Sequence, residues 1–428
     1  MDVALPSIVI VAASVGLALG VEPVPSWYFL LLWWPYVFAV DALGGRVGRR
    51  PLREQRGLLL RLAGLSVAWW TLFEATNLRL GNWYYVMVDP ERSVRWLFGF
   101  AAFATVLPGV LATLRLLEGI PVLRTLRVAR LEWSRGKERA MLALGAFCLL
   151  SPLLWPDRFF PLTWVSFVLL LAPWNRRRAA RSFLRDLEQG DAAPLCRTLL
   201  AGALCGVVWE AGNYWARQKW VYTVPGFEEL KLFEMPLLGF LGFPPFAVEC
   251  VIVLRFVESL PGAAASWSRA ARRVAAVGAA LLAALGTLLV FRVSEPVSTD
   301  SHYLPLAEME ELLSADEREA LARGGLRSPE QLLGAAARPG EAGAFGVGLD
   351  AARWDEILET MRLVTHRGLG ARRVVQLRAL GVTSVEDLSA RTPAGLAAAL
   401  RERFGAEAGC FLERRARVWI DAARRPER

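Results

Sequence analysis

Two apolar stretches of the chain carry the same polar residues at nearly the same spacing. The first, FEATNLRLGNWYYVMVDP, contains Glu74 and Asn77, and the second, WEAGNYWARQKWVYTVP, contains Glu210 and Asn213. Residues three apart lie on one face of a helix, so each stretch places a carboxyl group beside an amide. A carboxyl group in an apolar pocket can hold a proton and act as a general acid. A structural role, in which the pair ties a helix end to the following loop, fits the same pattern.

A W-x-Y motif follows each of these pairs. Such aromatic residues are typical of the membrane–water interface, where they anchor helices. Because they lie close to the acids, they are also candidates for contact with a substrate. The substrate-binding candidates are Asn213, Trp220, Tyr222, Glu74, Asn77, Trp83 and Tyr85.

The second stretch continues into an apolar run, FEMPLLGFLGFPPFAVECVIVLRF, that contains two further acids. Glu234 lies at its outer edge and Glu249 lies deep inside it, where the first stretch has Leu97 and Ala112. A carboxylate facing lipid tails is costly, so an acid within a membrane span indicates function. We therefore expect Glu249 to face one cavity with Glu210 and Asn213, closed at its mouth by Trp220 and Tyr222. The candidate catalytic acids are Glu210, Glu234 and Glu249.

Nine apolar runs meet or approach the length of about 20 residues that a membrane helix needs. They lie at roughly 4–21, 26–43, 57–76, 95–117, 139–155, 159–174, 195–214, 235–257 and 274–291. The fifth and sixth are short and could form a re-entrant pair instead. In the eighth, Pro244 and Pro245 fall mid-run, where we expect them to bend the helix and free backbone carbonyls.

The shared residues predict an internal duplication at an offset of about 136. We interpret residues 1–120 and 139–260 as two membrane repeats of four spans each, and 270–292 as a final span. Two related halves with a site between them are common among membrane transporters. The predicted fold is therefore all-α: a polytopic membrane helix bundle followed by a small soluble helical domain at 305–428.

Composition and charge agree with this division. The chain is 54% hydrophobic, contains 17 Trp and carries a net charge of +9. Among the loops between the apolar runs, those after the second, fourth, sixth and eighth runs contain most of the Lys and Arg residues. The positive-inside rule places these loops and the N-terminus in the cytoplasm, and nine crossings then place the C-terminal domain outside. The predicted location is the bacterial inner membrane. Two His and scattered Cys residues indicate neither a metal site nor a cofactor.

The order of a carboxylate at a span end, a W-x-Y motif and an acidic-Pro element opening an apolar run resembles heterodimeric-type lycopene cyclases. In that family repeated helical units supply acids that protonate a polyene. The resemblance covers about 50 residues of each half, with FEMP where those cyclases have a Pro-Glu-Glu element. The stretch is also similar to uncharacterised bacterial membrane proteins. The resemblance implies lipid or isoprenoid partners. Separately, the absence of nucleotide, metal and nucleophile motifs favours cofactor-free acid chemistry for an enzyme.

The segment THRGLGARRVVQLRALGVTSVEDL resembles a helix-hairpin-helix, with Gly368 and Gly370 at its turn. A weaker copy precedes it by 56 residues and pairs Ser328 with Ser384, each at a predicted helix N-cap. Such units bind nucleic acid through a basic surface, but this region is close to neutral, so nucleic acid is not expected. A protein partner or self-association is the expected role.

Three functions fit these patterns. The first is a non-catalytic membrane subunit that presents the helix-hairpin-helix domain to partners. The second is an intramembrane enzyme that modifies a carotenoid, another isoprenoid or a lipid and uses a buried glutamate as general acid. The third is a transporter of a lipid or small molecule. The patterns favour the first, because they contain no nucleotide motif, metal cluster or nucleophile set.

Overall fold

The computed structural model describes residues 3–224, 230–337 and 351–425. These residues are mostly helical, with two short antiparallel strand pairs, so the all-α prediction is confirmed. The helices before residue 300 are α1 (Ala4–Ala18), α2 (Val24–Arg46), α3 (Arg56–Leu80), α4 (Arg92–Phe103), α5 (Val106–Gly119), α6 (Arg135–Leu154), α7 (Pro156–Phe159), α8 (Ser166–Arg178), α9 (Phe183–Glu188), α10 (Ala193–Trp215), α11 (Phe243–Ala263) and α12 (Arg269–Ser298). Those after it are α13 (Ala315–Arg323), α14 (Pro329–Ala336), α15 (Ala351–Thr365), α16 (Gly370–Arg378), α17 (Val385–Ser389), α18 (Pro393–Phe404) and α19 (Leu412–Ala423).

Six helical segments of the described residues are long and apolar enough to cross a membrane. They are Val24–Arg46, Arg56–Leu80, Arg92–Gly119, Ala193–Trp215, Leu237–Ala263 and Arg269–Ser298. Of the nine predicted spans, the first corresponds to α1, the fifth to α6 and the sixth to α7 with α8. These helices are not among the six long segments. The apolar side chains of α12 are largely exposed, as a lipid-facing helix requires. The bundle is therefore that of a membrane protein.

Two short strands join the halves of the bundle. β1 (Trp83–Val86) follows α3, and β2 (Lys219–Tyr222) follows α10; the two pair antiparallel, with Trp83 opposite Tyr222 and Tyr85 opposite Trp220. Each pair joins the Trp of one W-x-Y motif to the Tyr of the other. Exchanging the two halves therefore reproduces the same register about an approximate two-fold axis. We call β1 and β2 together the strand ribbon.

The last span of each half is interrupted within the bundle. In the first half α4 ends at Phe103 and α5 begins at Val106; in the second, a 3-10 helix at Leu237–Gly242 precedes α11. Pro244 and Pro245 lie in the first turn of α11, where no intrahelical N–H bond is lost. The prediction that they bend a helix in mid-span is therefore wrong, because the break comes before them.

The helices after residue 305 enclose a second hydrophobic core, which contains Leu321, Met361, Leu377 and Trp419. Gly368 and Gly370 have φ values of +69° and +73°, which favour glycine, as the predicted turn needs. Ser328 and Ser384 cap α14 and α17 with their side chains. Both predicted N-caps are confirmed.

A second strand pair, β3 (Lys231–Leu232) with β4 (Met235–Pro236), lies before the 3-10 helix that precedes α11.

These C-terminal helices pack on the outer face of the strand ribbon. Trp419 donates its indole N–H to the Tyr84 hydroxyl at 3.1 Å, and Val418 packs against Val86 and Val221. The chain after α12 runs beside β1, where Asp300 donates its N–H to the Tyr85 carbonyl at 2.9 Å. The ribbon thus lies between the bundle and the C-terminal helices.

The Arg-rich loops lie at the other end of the bundle. Arg49 after α2 pairs with Glu118 at the end of α5, and Arg197 at the start of α10 donates to the Leu123 carbonyl at 2.6 Å. Helices of more than twenty residues, each about 1.5 Å per residue in length, separate this end from the ribbon. The C-terminal helices and the Arg-rich loops therefore lie on opposite sides of the bundle.

Candidate functional site

The two asparagines of the repeated motif fix the start of the ribbon. Asn77 accepts the Asn82 N–H at 2.8 Å and donates to the Trp83 carbonyl at 2.9 Å. Asn213 bonds both backbone groups of Trp220, each at 2.9 Å. Each side chain thus satisfies backbone groups just beyond a helix end, where no helical partner exists. Their role is positional, and neither lines a cavity.

Alternation along the strands gives the ribbon two different faces. Trp83, Tyr85, Trp220 and Tyr222 point into the bundle and line a cavity. The residues that alternate with them, Tyr84, Val86 and Val221, point to the C-terminal helices. The W-x-Y spacing therefore places all four motif aromatics on the same face.

Glu74 accepts three hydrogen bonds from aromatic side chains. The Tyr85 hydroxyl donates at 2.6 Å, the Trp70 indole at 3.0 Å and the Trp83 indole at 3.2 Å, all to Oε1. The side chain is only 3% exposed, yet it lies on the cavity wall. The three donors leave Oε2 available for other partners.

The second half repeats this arrangement with fewer contacts. Tyr222 donates its hydroxyl to Glu210 at 2.8 Å, and Trp220 donates its indole N–H to the Tyr222 hydroxyl at 2.9 Å. Glu210 is fully buried and does not line the cavity, and its Oε2 has no hydrogen-bond partner among the described residues. Glu210 therefore reaches the cavity through Tyr222.

The tyrosines of the two pairs remain neutral donors. Burial raises the pKa of Tyr85 well above its usual value, and the neighbouring Glu74 raises it further. Burial and Glu210 have the same effect on the pKa of Tyr222. Each hydroxyl therefore keeps its proton at physiological pH and can hold or pass a proton between a carboxyl group and the cavity.

The cavity beneath the ribbon has a volume of about 580 Å³. This lies within the range of about 300–1,000 Å³ that is usual for small-molecule sites. Leu238 and Leu241 line it and are also 52% and 70% exposed, so its rim reaches the outer surface of the bundle. Its wall is largely aromatic and includes Trp33, Trp70, Phe103, Trp164, Trp209 and Phe246.

These wall residues were not among the sequence candidates. Their rings contact one another, with Trp209 5.2 Å from Trp33, 5.6 Å from Trp70 and 5.4 Å from Trp220 between centroids. The signal available in the sequence was the density of Trp within the apolar runs. It could not show which aromatic residues converge, because the wall residues come from five α-helices and a 3-10 helix.

Two of the predicted acids lie away from this cavity. Glu249 accepts the Phe167 N–H at 2.9 Å, at the start of α8, and is fully buried. A carboxylate is favourable there because the first N–H groups of a helix have no intrahelical acceptor. The structure thus corrects the prediction of one cavity shared by Glu210, Asn213 and Glu249, since none of the three lines it.

Glu234 is held in a buried ion cluster. It accepts from Lys219 at 2.7 Å and from Arg367 of the C-terminal helices at 2.9 Å. Such a carboxylate has no proton to donate, which argues against its predicted role as a catalytic acid. Arg373 is likewise bound to Asp300 at 2.9 Å. Two arginines of the hairpin segment therefore contact the same chain and do not form a free basic surface.

The described residues contain no group of His, Cys, Asp and Glu side chains that could hold a metal ion. No protein-family model, curated protein or solved structure matches the chain. The inference of function therefore depends on the geometry and chemistry of the cavity.

Proposed function

We propose that this protein is an intramembrane enzyme that isomerises or cyclises an apolar isoprenoid, with Glu74 as the general acid. The observation that carries the proposal is the position of the Glu74 carboxyl group on the wall of a large aromatic cavity. The exposed rim at Leu238 and Leu241 gives a substrate dissolved in the membrane a lateral way in. The resemblance to heterodimeric lycopene cyclases implies the same class of chemistry.

The hydrogen bonds of Glu74 indicate which oxygen would carry the proton. Oε1 already accepts from Tyr85, Trp70 and Trp83, so its lone pairs are occupied and the proton of the acid form resides on Oε2. Transfer of this proton to a carbon–carbon double bond forms a C–H bond from the π electrons and leaves a carbocation on the neighbouring carbon. The three donors then stabilise the carboxylate that is left behind.

The next step returns the proton. A carbon adjacent to the cation, before or after ring closure, loses a proton to the carboxylate, and the electrons of that C–H bond form the new double bond. The acid is regenerated, and the reaction needs neither an oxidant nor a cofactor. Glu210, acting through the Tyr222 hydroxyl, offers a second acceptor on the other side of the ribbon axis.

The aromatic wall supports a cationic intermediate. Ring faces attract a nearby cation by about 0.5–2 kcal/mol each, most strongly where water is excluded. Trp209 contacts both Trp70 and Trp220 on this wall, so several rings can act on one cation. An apolar substrate without charge also matches a cavity whose wall is mostly hydrocarbon and aromatic surface.

We also propose the finer membrane arrangement predicted from the sequence. In this arrangement α1, α6 and α7–α8 add three crossings to the six long spans. Nine crossings of a bacterial inner membrane would place the N-terminus in the cytoplasm and the C-terminal helices outside. The position of the Arg-rich loops at the end opposite the C-terminal helices supports this orientation. The tandem helix-hairpin-helix units would then cover the ribbon from outside.

The experiment compares two glutamine variants of the protein in lipid nanodiscs. Each is incubated with a panel of acyclic isoprenoid hydrocarbons and alcohols, and the products are separated by chromatography. Glu74→Gln keeps an acceptor for the three donors but loses the transferable proton, so conversion should fall by about 10²–10⁴-fold. Glu249→Gln is the matched control, since it makes the same change at a buried site away from the cavity, and it should keep its activity.

Unchanged conversion in Glu74→Gln would exclude this residue as the acid. If the unmodified protein neither converts nor binds any isoprenoid of the panel, the enzyme proposal fails. The non-catalytic subunit that presents its C-terminal helices to a partner would then be the better account, and transport through the bundle would be tested next.

A further inference from the structure

The chain between α12 and the C-terminal helices runs along the outer edge of β1. We call residues 299–303 the linker segment. Its Asp300 donates the backbone N–H to the Tyr85 carbonyl at 2.9 Å, and Thr299 forms a parallel bridge with Tyr85. A second parallel bridge lies just beyond β1. The linker segment therefore lies as a third strand beside Tyr85, whose hydroxyl donates to the Glu74 carboxyl group.

A buried carboxylate anchors the linker segment to the C-terminal helices. Oδ1 of Asp300 accepts from Arg373 of α16 at 2.9 Å and from Arg415 of α19 at 2.8 Å. The Asp300 side chain is 0% exposed, and both arginine side chains are buried as well. Hydrogen bonds between charged groups are about twice as strong as neutral ones. The position of Asp300, and with it the backbone bond to Tyr85, therefore depends on these two helices.

The turn of the helix-hairpin-helix segment contacts the same place. Ser301 donates its hydroxyl to the Gly368 carbonyl and accepts the Met87 N–H at 2.9 Å. A Cβ at Gly368 would lie 2.5 Å from the Val86 side chain, and a Cβ at Gly370 would lie 2.7 Å from that of Ser301. Residues without a side chain are therefore needed for this close approach of the turn to β1 and the linker segment.

Only the first half of the ribbon has this additional strand. In the part of the chain that the structure describes, the linker segment bridges β1, and no segment outside the named strands bridges β2. The two acids differ in the same way, since Glu74 lines the cavity and Glu210 does not. The approximate two-fold symmetry is thus broken on the side of the acid that reaches the cavity.

We propose that Asp300 is a positioning residue that holds Tyr85 against Glu74, so that the C-terminal helices keep this acid in its working geometry. The catalytic consequence of this inference rests on the proposed function. A displacement of about 1 Å caused by a change far from the reacting atoms can slow a reaction by about 10²-fold. The C-terminal helices thereby control the membrane site from the opposite face of the ribbon.

Fluorine NMR of the full chain in nanodiscs tests the contact without a substrate. 3-Fluorotyrosine replaces either Tyr85 or, as an internal reference, Tyr222. In Asp300→Asn, which weakens the hold of both arginines, the signal from Tyr85 should shift or broaden while that from Tyr222 stays unchanged. Ser301→Ala should have the same effect, and it provides the test if Asp300→Asn does not fold. A general loss of structure would instead disturb both signals.

The conversion assay gives the second readout. Asp300→Asn and Ser301→Ala should lower kcat by about 10- to 100-fold with little change in KM, because Tyr85 stabilises the carboxylate that forms as the proton leaves. Asp157→Asn is the control. It removes an ion pair with Arg414, also on α19, but at α7 and not at the linker segment. It should leave kcat and both fluorine signals unchanged.

Equal changes in the signals of Tyr85 and Tyr222, or no change in either, would overturn the inference. An unchanged kcat in both linker variants would do the same while leaving the proposed function intact. If the unmodified protein converts no isoprenoid, the proposed function fails, and the fluorine signals still decide whether Asp300 holds Tyr85 in place.

Discussion

Three buried glutamates of the membrane part differ in what contacts their carboxyl groups. Glu234 is bound by Lys219 in an ion pair, and Glu249 accepts the backbone N–H of Phe167. Glu74 is contacted by neutral indole and phenol donors and lies on the cavity wall. A general acid must be able to hold a proton next to the substrate. These contacts, rather than burial itself, distinguish the proposed catalytic residue from the structural ones.

The ion cluster of Glu234 predicts a pH dependence. Burial alone would raise the pKa of Glu234, but Lys219 and Arg367 outweigh it and hold the pKa below its ordinary value of about 4.5. A lowered pKa in the folded protein means that the carboxylate contributes stability above the ordinary value. That contribution is lost as the pH falls through the lowered pKa. We therefore expect the C-terminal helices to loosen on acidification below this range, measured as faster cleavage by an acid-active protease.

Glu234→Gln provides the control for this prediction. It leaves Lys219 and Arg367 without their counter-charge, which should cost about 3–5 kcal/mol of stability at neutral pH. Its cleavage should depend less on pH than that of the unmodified protein. Identical pH profiles for the two proteins would show that Glu234 does not hold the C-terminal helices in place.

The sequence could predict the residues of the repeated motif because their contacts are local. Glu74 and Tyr85, like Glu210 and Tyr222, are joined within eleven or twelve positions of the chain. The partner of Glu249 lies 82 positions away, on a helix whose neighbours no spacing rule gives. Glu249, the acid deepest in an apolar run, was therefore predicted to be catalytic, although its carboxyl group caps the start of α8.

Glycines set the separation of helices in the second half. A Cβ at Gly202 of α10 would lie 2.7 Å from the Ala247 side chain and 2.9 Å from the Pro244 backbone, both on α11. Membrane helices approach closely where such small residues meet, because no larger side chain keeps the backbones apart. This close contact holds α10, with Glu210, against the helix that carries Phe246 of the cavity wall.

Alanine at Gly202 should therefore destabilise the bundle even though alanine favours helices. We expect a loss of about 1–3 kcal/mol from overpacking. Gly64→Ala on α3 is the control, because nothing lies within 4 Å of its added Cβ. It should be neutral or stabilising by up to about 1 kcal/mol. Thermal unfolding in nanodiscs measures both, and equal effects at the two sites would contradict close packing of α10 on α11.

Helix positions were predictable from apolar length, but helix breaks were not. The long apolar run at 95–117 contains the junction of α4 and α5, and the run at 235–257 begins as a 3-10 helix. The break between α4 and α5 is bridged by Ser66 of α3, which donates to the Phe103 carbonyl and accepts the Leu107 N–H at 3.0 Å. Such contacts between distant segments are absent from a hydropathy pattern.

At the scale of the whole molecule, the C-terminal helices act as a cover on the strand ribbon. Met87, just after β1, belongs to their hydrophobic core, and Tyr84 bonds Trp419 within it. The opposite face of the same ribbon lines the cavity. Sequence analysis separated the two regions by composition, but it could not predict this contact, since it joins residues more than 300 positions apart.

The orientation of the bundle can be tested with reporter fusions. A periplasmic reporter attached after residue 428 should be active, and the same reporter at the loop near residue 180 should be inactive, because nine crossings place these ends on opposite sides. A cytoplasmic reporter should give the reverse pattern. Activity of the cytoplasmic reporter at both positions would contradict the nine-span topology.

Incorporation of solvent deuterium tests the central claim most directly. If Glu74 protonates a carbon–carbon double bond, the protein in D₂O should transfer a deuteron to carbon, and mass spectrometry should find deuterium in the isoprenoid product. The Glu74→Gln variant should give no such label. Product formed in D₂O without deuterium on carbon, or labelled equally by Glu74→Gln, would contradict acid catalysis by this residue.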